Sequence, residues 1–183
     1  TSVNTENKMS SSDIGPGNCL IDQWIRANSK KNYDSEGRTA KSGLVNPVIL
    51  NQSLDNFYNN DISKKRSYDT KDFDLSFVRN LSLEDGAATL TEFTAQILSK
   101  KFFNKNIYVS GGGRKNKFLI TRLEKILKIK IKLIDDLSIN GDFVESQAFA
   151  YLAIRSYLGE PISFPETTGC SKACTGGEII KIT

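Results

Sequence analysis

The sequence predicts an α/β fold, and three observations carry that expectation. A short apolar strand, Asn106 to Ser110, runs straight into Gly111-Gly112-Gly113 and then into a helix. Ile129, Ile131 and Leu133 alternate with Lys130 and Lys132, the period-2 pattern of a strand. A further helix runs from the Asn140-Gly141-Asp142 turn to Leu158, with Gly159 as its stop and Pro161 beyond. Strand, glycine turn, helix, strand, helix is an α/β order.

The elements follow in chain order. Residues 1–12 are almost wholly polar and read as a frayed terminus. Leu20, Ile21, Trp24 and Ile25 recur at helical spacing, which predicts an amphipathic helix over 18–28. Asn46-Pro47 reads as an N-cap with Pro at the first helical position, opening a short helix through Leu54. The charged, Asn- and Asp-rich stretch from Asn56 to Arg79 reads as a long surface connection. Ser82-Leu83-Glu84-Asp85 is a loose capping box before the strongest helical pattern in the chain, with Ala87, Leu90, Phe93, Ala95, Ile97 and Leu98. A helix from Asn116 carries Phe118, Leu119, Leu123, Ile126 and Leu127 on one face.

At 183 residues the chain is long enough to bury a core without disulfide or metal staples. Its longest apolar run, Ala148 to Ile154, is far short of the ~20 residues of a membrane-spanning helix. No apolar segment follows Thr1-Ser2-Val3, so no retained secretory signal is expected. Histidine is absent, which excludes every His-based triad, metal site and proton shuttle. Cys19, Cys170 and Cys174 are too few and too odd in number for a disulfide scaffold, which favours a reducing cytoplasm. The C-x3-C pair lacks the second ligand pair that a zinc site needs, so no protein metal site is expected. Between Lys100 and Lys132 eleven basic residues face one acid, a local +10 inside a chain of net +4. That block suits a nucleic-acid face, phosphate steering, or a solvated Lys-rich surface.

Three motifs carry chemistry. Asp13-Ile14-Gly15-Pro16-Gly17-Asn18 precedes a helix, so backbone N–H groups at Gly15 and Gly17 and the helix N-terminus can approach an anion. Asp13, at the mouth of that turn, could take a proton from a nucleophile or hold Mg²⁺ through water. The same residues also suit a plain turn capping a helix. Gly111-Gly112-Gly113 after an apolar strand fits close approach of a ribose or pyrophosphate, or a tight turn, but has neither Walker A nor G-x-G-x-x-G spacing. Glu145, in Gly141-Asp142-Phe143-Val144-Glu145-Ser146-Gln147, falls in a first helical turn, where the dipole alone would favour a carboxylate.

Together, Asp13-x-Gly-Pro-Gly-Asn18, Gly111-Gly112-Gly113-x-x-Asn116 and Gly141-Asp142-x-x-Glu145-x-Gln147-Ala148-Phe149-Ala150 resemble the anhydro-N-acetylmuramic acid kinase family in order and spacing. The resemblance extends to Asp22-x-Trp24, Thr168-Gly169 and Gly176-Gly177. It implies the C-terminal lobe of an actin/hexokinase-like (ribonuclease-H-like) ATPase fold over 13–183, a mixed sheet flanked by helices. It also implies a cytoplasmic enzyme that opens the ring of 1,6-anhydro-N-acetylmuramic acid with water and phosphorylates O6 from ATP with Mg²⁺, in cell-wall recycling. On that likeness Asp13 is the base that activates water, and Glu145 is the second acid, near magnesium and sugar. Gly15 and Gly17 form a phosphate turn, while Gly111, Gly112, Gly113 and Asn116 face the nucleotide. A homodimer of the full-length enzyme is implied as well, with no nucleic-acid or membrane partner.

The chain departs from the family in three places, one being Glu6-Asn7-Lys8-Met9-Ser10-Ser11-Ser12, polar where the family has an apolar strand. Arg114-Lys115 stands where the family's turn often reads Ala-His, so no histidine role transfers. The Ser-Gly-Thr-Ser-x-Asp-Gly loop of the first phosphate site is missing, and the chain opens on Thr1 rather than Met. A C-terminal half, inactive alone, is therefore expected. The alternative is a catalytically silent lobe that binds a nucleotide or a partner.

Overall fold

The computed structural model describes residues 2–4, 10–60, 67–102 and 106–180. Ser2–Asn4 (β1) pairs antiparallel with Ser10–Ser12 (β2), Val3 opposite Ser11. Within the terminus expected to fray, the described part forms this short backbone ladder, which polar side chains do not prevent. Residue 1 and residues 5–9 lie outside the described residues.

Cys19–Asn28 (α1) buries the predicted face, Leu20, Ile21, Trp24 and Ile25. Arg38–Ser42 (α2) is a single turn whose start is fixed by Asp34, a carboxylate only 5% exposed. Both its oxygens are used, accepting from Thr39 N at 2.8 Å and Ala40 N at 2.9 Å. Pro47–Asn59 (α3) starts as expected, Asn46 accepting from Ile49 N at 3.1 Å, but runs past Leu54 to place Phe57 in the core. The connection that follows is not confined to the surface. Tyr68 and Val78 are buried, and Phe57 stacks on Phe73 with ring centroids 5.8 Å apart. Aromatic burial outweighs the polar composition around it; residues 61–66 lie outside the described residues.

Leu83–Ser99 (α4) is the helix against which α1, α2 and α3 pack. Ser82 caps it by accepting from Asp85 N at 3.1 Å, and Glu84 and Asp85 complement the dipole in its first turn. From Gly86 to Ala95 every residue is buried, as a helix without a polar face requires. Two of its buried threonines use their hydroxyls: Thr91 donates to Ala87 O at 2.8 Å, and Thr89 accepts from Asn46 N at 3.1 Å, whereas the buried Thr94 hydroxyl has no hydrogen-bond partner among the described residues. Gly86 sits mid-helix because the Trp24 ring occupies its side-chain space; a Cβ there would lie 2.5 Å from the indole. Trp24 in turn donates to Leu83 O at 2.9 Å.

Tyr108–Val109 (β3), Lys117–Leu127 (α5) and Lys132–Leu133 (β4) build a smaller core from Ala95, Ile107, Leu119, Leu123 and Ile131. The two strands are parallel, Tyr108 opposite Lys132 and Val109 opposite Leu133. Both are shorter than the alternation predicted. α5 ends at Lys128 in left-handed conformation (φ 57°), so residues 128–131 are spent on the turn back. The protein is thus mixed α/β but mostly helical, and among the described residues its sheets are two-stranded pairs.

Val144–Tyr157 (α6) stops, as predicted, before Gly159 at φ 73°. Pro165–Thr168 (α7) touches β2, with Ser11 Oγ donating to Thr167 O at 3.3 Å. None of the described residues from 142 to 180 is buried.

Candidate functional site

The first motif folds as a tight entry into α1. Cys19 N donates to Pro16 O at 3.0 Å, and Gly17 takes φ 56°. Gly15 has a packing reason as well: its absent Cβ would lie 2.9 Å from Leu98 Cδ2 at the end of α4. Asp13, exposed at the head of the turn, is held by its backbone; its N–H donates to Ser67 Oγ at 2.9 Å and its carbonyl accepts from Tyr68 N at 2.8 Å. A cavity of about 240 Å³ opens here, lined by Ser11, Ser12, Asp13, Ser67, Thr167, Thr168 and Gly169. One carboxylate among hydroxyls is a lining suited to a polyol.

The glycine turn comes to the same end of α1. Asn18 Nδ2 donates to Gly112 O at 3.4 Å, and Asn116 Nδ2 donates to Asn18 Oδ1 at 3.1 Å. Asn116 also caps α5, accepting from Leu119 N at 3.1 Å, and is only 4% exposed. Gly111 has φ 68° and ψ −162°, a conformation that needs glycine. No described atom lies within 4 Å of a Cβ built on Gly111, Gly112 or Gly113. The Cβ side of the turn therefore faces open space, which leaves room for a ligand to approach closely.

The third motif is tied to the second. Gly111 N donates to Gly141 O at 2.9 Å. Arg114 binds Gly111 O (3.0 Å), Asp142 Oδ1 (2.9 Å) and Asp135 Oδ2 (3.1 Å), and Asp135 accepts from Gly141 N at 3.2 Å. Gly141 is glycine because this guanidinium lies on it, 2.6 Å from where a Cβ would stand. Hydrogen bonds from Arg114 and then Lys115 hold the Asp142 carboxyl well below the usual carboxylate range. Asp135 is lowered by the Gly141 N–H and by Arg114. Glu145 stands exposed in the first turn of α6 and does not line the Asp13 cavity.

Among the described residues no group of three or more Asp, Glu or Cys is placed to hold a metal ion. Mg²⁺ commonly takes one or two carboxylates, with phosphates and water completing its shell. Asp13 is an exposed carboxylate of that kind, while Glu145 does not line its cavity. Burial pushes the Cys19 thiol up despite its place at a helix start.

A family model for anhydro-N-acetylmuramic acid kinase matches residues 1–181. The chain belongs to the anhydro-N-acetylmuramic acid kinase family. Proteins of that name from Pelagibacter ubique and Zymomonas mobilis are 49% and 40% identical to it, over 94% and 95% of the chain. One from Caulobacter vibrioides is 40% identical over 92% of the chain. The chain spans about half the length of these relatives, 49%, 49% and 46% respectively.

Within this family member several residues of the basic block pair with acids, mostly at the surface, with only Arg122 partly buried. Arg122 pairs with Glu92 (2.5 Å), Lys117 with Glu36 (2.6 Å), Lys130 with Glu124 (3.0 Å) and Lys115 with Asp142 (2.6 Å). Phe102 and Phe118 pack against the cores, and Phe103 lies outside the described residues. Sequence reading missed Arg114, Asp135 and the linking role of Asn18. No local signal marked them, since Asp135, Gly141 and Asp142 lie beyond a whole helix from Arg114 in the sequence. No helix among the described residues is long and apolar enough to cross a membrane.

Proposed function

We propose that this chain supplies the Asp13 side of an ATP-dependent kinase that hydrolytically opens 1,6-anhydro-N-acetylmuramic acid and phosphorylates O6. The supporting observation is convergence: Asn18, Asn116, Gly111 and Gly141, spread along the sequence, are joined by direct hydrogen bonds beside an open glycine turn. Asp13 takes a proton from the water that attacks the anomeric carbon. The bond to O6 breaks, and the freed O6 accepts the γ-phosphoryl group in line, so that positioning supplies most of the catalysis. Gly15 and Gly17 contact phosphate. Gly111, Gly112 and Gly113 lie against the nucleotide, and Asn116 fixes their turn. Glu145 serves the magnesium–sugar side, and Mg²⁺ would neutralise phosphate charge when bound.

In this reading residues 13–183 form the C-terminal lobe of a two-lobed actin/hexokinase-like ATPase that works in the cytoplasm as a homodimer. Cell-wall sugar recycling is its setting. A second reading is a silent lobe that binds nucleotide or partner, since the chain spans only 49% of the length of its relatives from Pelagibacter ubique and Zymomonas mobilis. The chain alone should therefore give no 6-phosphate from Mg-ATP and the anhydro sugar by mass spectrometry.

The deciding experiment joins the chain to the complementary half of a relative. Asp13→Asn keeps shape but removes basicity, so kcat should fall by at least ~10²-fold with little change in ATP affinity. Near-normal kcat would remove Asp13 from the mechanism.

A further inference from the structure

Of the two cations that follow the glycine turn, solvent barely reaches Arg114. Its side chain is 10% exposed, against 60% for Lys115 beside it. Nε donates to Asp135 Oδ2 at 3.1 Å, while Nη1 serves both Gly111 O at 3.0 Å and Asp142 Oδ1 at 2.9 Å. Three acceptors in different directions suit the rigid fork of a guanidinium, a set that a lysine ammonium does not reproduce.

The fork is braced and it braces in return. Asp135 Oδ1 accepts from Gly141 N at 3.2 Å, which ties the guanidinium to the segment leading into α6. Gly111 has both backbone polar groups taken, its N–H by Gly141 O and its carbonyl by Arg114. Among the described residues Arg114 is the only side chain that hydrogen-bonds Gly111. The other carbonyls of the turn are used as well, Gly112 O by Asn18 Nδ2 and Gly113 O by Asn116 N at 3.2 Å. The peptide planes of 111–113 are thus fixed from within, and the Cβ side stays open. A backbone conformation as rare as that of Gly111 persists only where its surroundings over-determine it.

We propose that Arg114 is a positioning residue for the nucleotide: its fork holds Gly111, Gly112 and Gly113 in the shape the ligand meets, and affinity for the nucleotide depends on it. The inference rests on the reading of this turn as the nucleotide's seat. Arg114 acts through the backbone, because its Nε and Nη1 donors are spent on Gly111, Asp135 and Asp142. Such a role shows as affinity. Where only a fraction of the molecules hold the competent turn, the apparent Kd rises by the inverse of that fraction. Global stability changes far less, since ion pairs to acids as exposed as these add little to it.

The test measures binding of fluorescent methylanthraniloyl-ADP, with Mg²⁺, to this chain and to single variants. Arg114→Met removes fork and charge; Arg114→Lys restores the charge without the fork. Gly141→Ala keeps every charge but puts a methyl 2.6 Å from Arg114 Nε, which displaces the guanidinium. Gly141 lies outside the left-handed region, so its backbone accepts alanine. Kd should weaken at least about tenfold in both Arg114 variants, as when the competent turn falls to about a tenth. Gly141→Ala should weaken it too, and far-UV circular dichroism should match the unmodified chain throughout. Full affinity in Arg114→Lys would reduce the residue to a bare charge, and full affinity in Gly141→Ala would make its placement irrelevant; either result overturns the proposal. So would a loss of affinity confined to variants whose dichroism shows them unfolded. If the unmodified chain gives no saturable binding, the nucleotide reading of the turn fails and takes this inference with it. Binding that the variants leave intact defeats this inference alone.

Discussion

Asn116 Nδ2 donates to Asn18 Oδ1 across 3.1 Å, so the residue that opens α5 holds the residue that opens α1. Asn116→Ala removes both this bond and the cap on Leu119 N, and should cost about 1–2 kcal/mol in urea denaturation. Asn116→Asp keeps the capping oxygen and loses only the donor, so it should cost less. An Asp variant as costly as the Ala variant would shift the weight from the cap to the Asn18 link.

Glu92 and Arg122 clamp α4 to α5. Glu92 is 8% exposed at its side chain and Arg122 27%. Arg122→Met leaves a buried carboxylate with Gln96 as its remaining side-chain donor, at 3.2 Å. The expected loss is about 1–3 kcal/mol, below that of breaking a fully buried pair because water reaches Arg122. Adding Glu92→Gln should return part of it, as a double-mutant cycle would measure.

Gly86→Ala is a contest of signs. Alanine in a helix interior normally gains roughly 0.5–1 kcal/mol over glycine. Here the methyl would meet the Trp24 ring at 2.5 Å, from an indole pinned by its bond to Leu83 O. Overpacking of this kind costs about 1–3 kcal/mol, so net destabilisation is expected. A raised midpoint in denaturant would show that the ring can yield.

The Arg114 clamp sets an acid limit. Asp142 and Asp135 have folded pKa values below their unfolded ones. Their contribution is therefore complete above the ordinary Asp pKa of ~3.9 and is lost only as pH falls through the lowered values. Carboxyl NMR titration should find both ionised where free Asp is half protonated. Arg114→Met should move both upward, Asp142 more than Asp135, since Arg114 is the first cause for one and secondary for the other.

What the sequence revealed was local. Asn46, Ser82 and Asn116 announce helix starts by side-chain chemistry, and the helices begin where they say. The three site motifs were visible as glycine turns, but their convergence was not, because it runs through Arg114 and Asn18, whose partners are distant in the chain. The strands were overestimated, since periodicity does not count residues used in turning back at Lys128. The connection after α3 was misread because its few aromatics, not its many polar residues, decide where it lies.

The hydrogen bond from Gly111 N to Gly141 O turns everything between them into a noose with a fixed neck. For such a noose the entropy of closure grows only logarithmically with contour, about 0.6 kcal/mol for each doubling. Insertions at the exposed bend near Lys128 and Lys130 therefore cost little and do not reach the neck. The shape offered by Gly112 and Gly113 is insulated from the length of the segment that carries it, and variation in that segment is free to proceed while the turn stays the same.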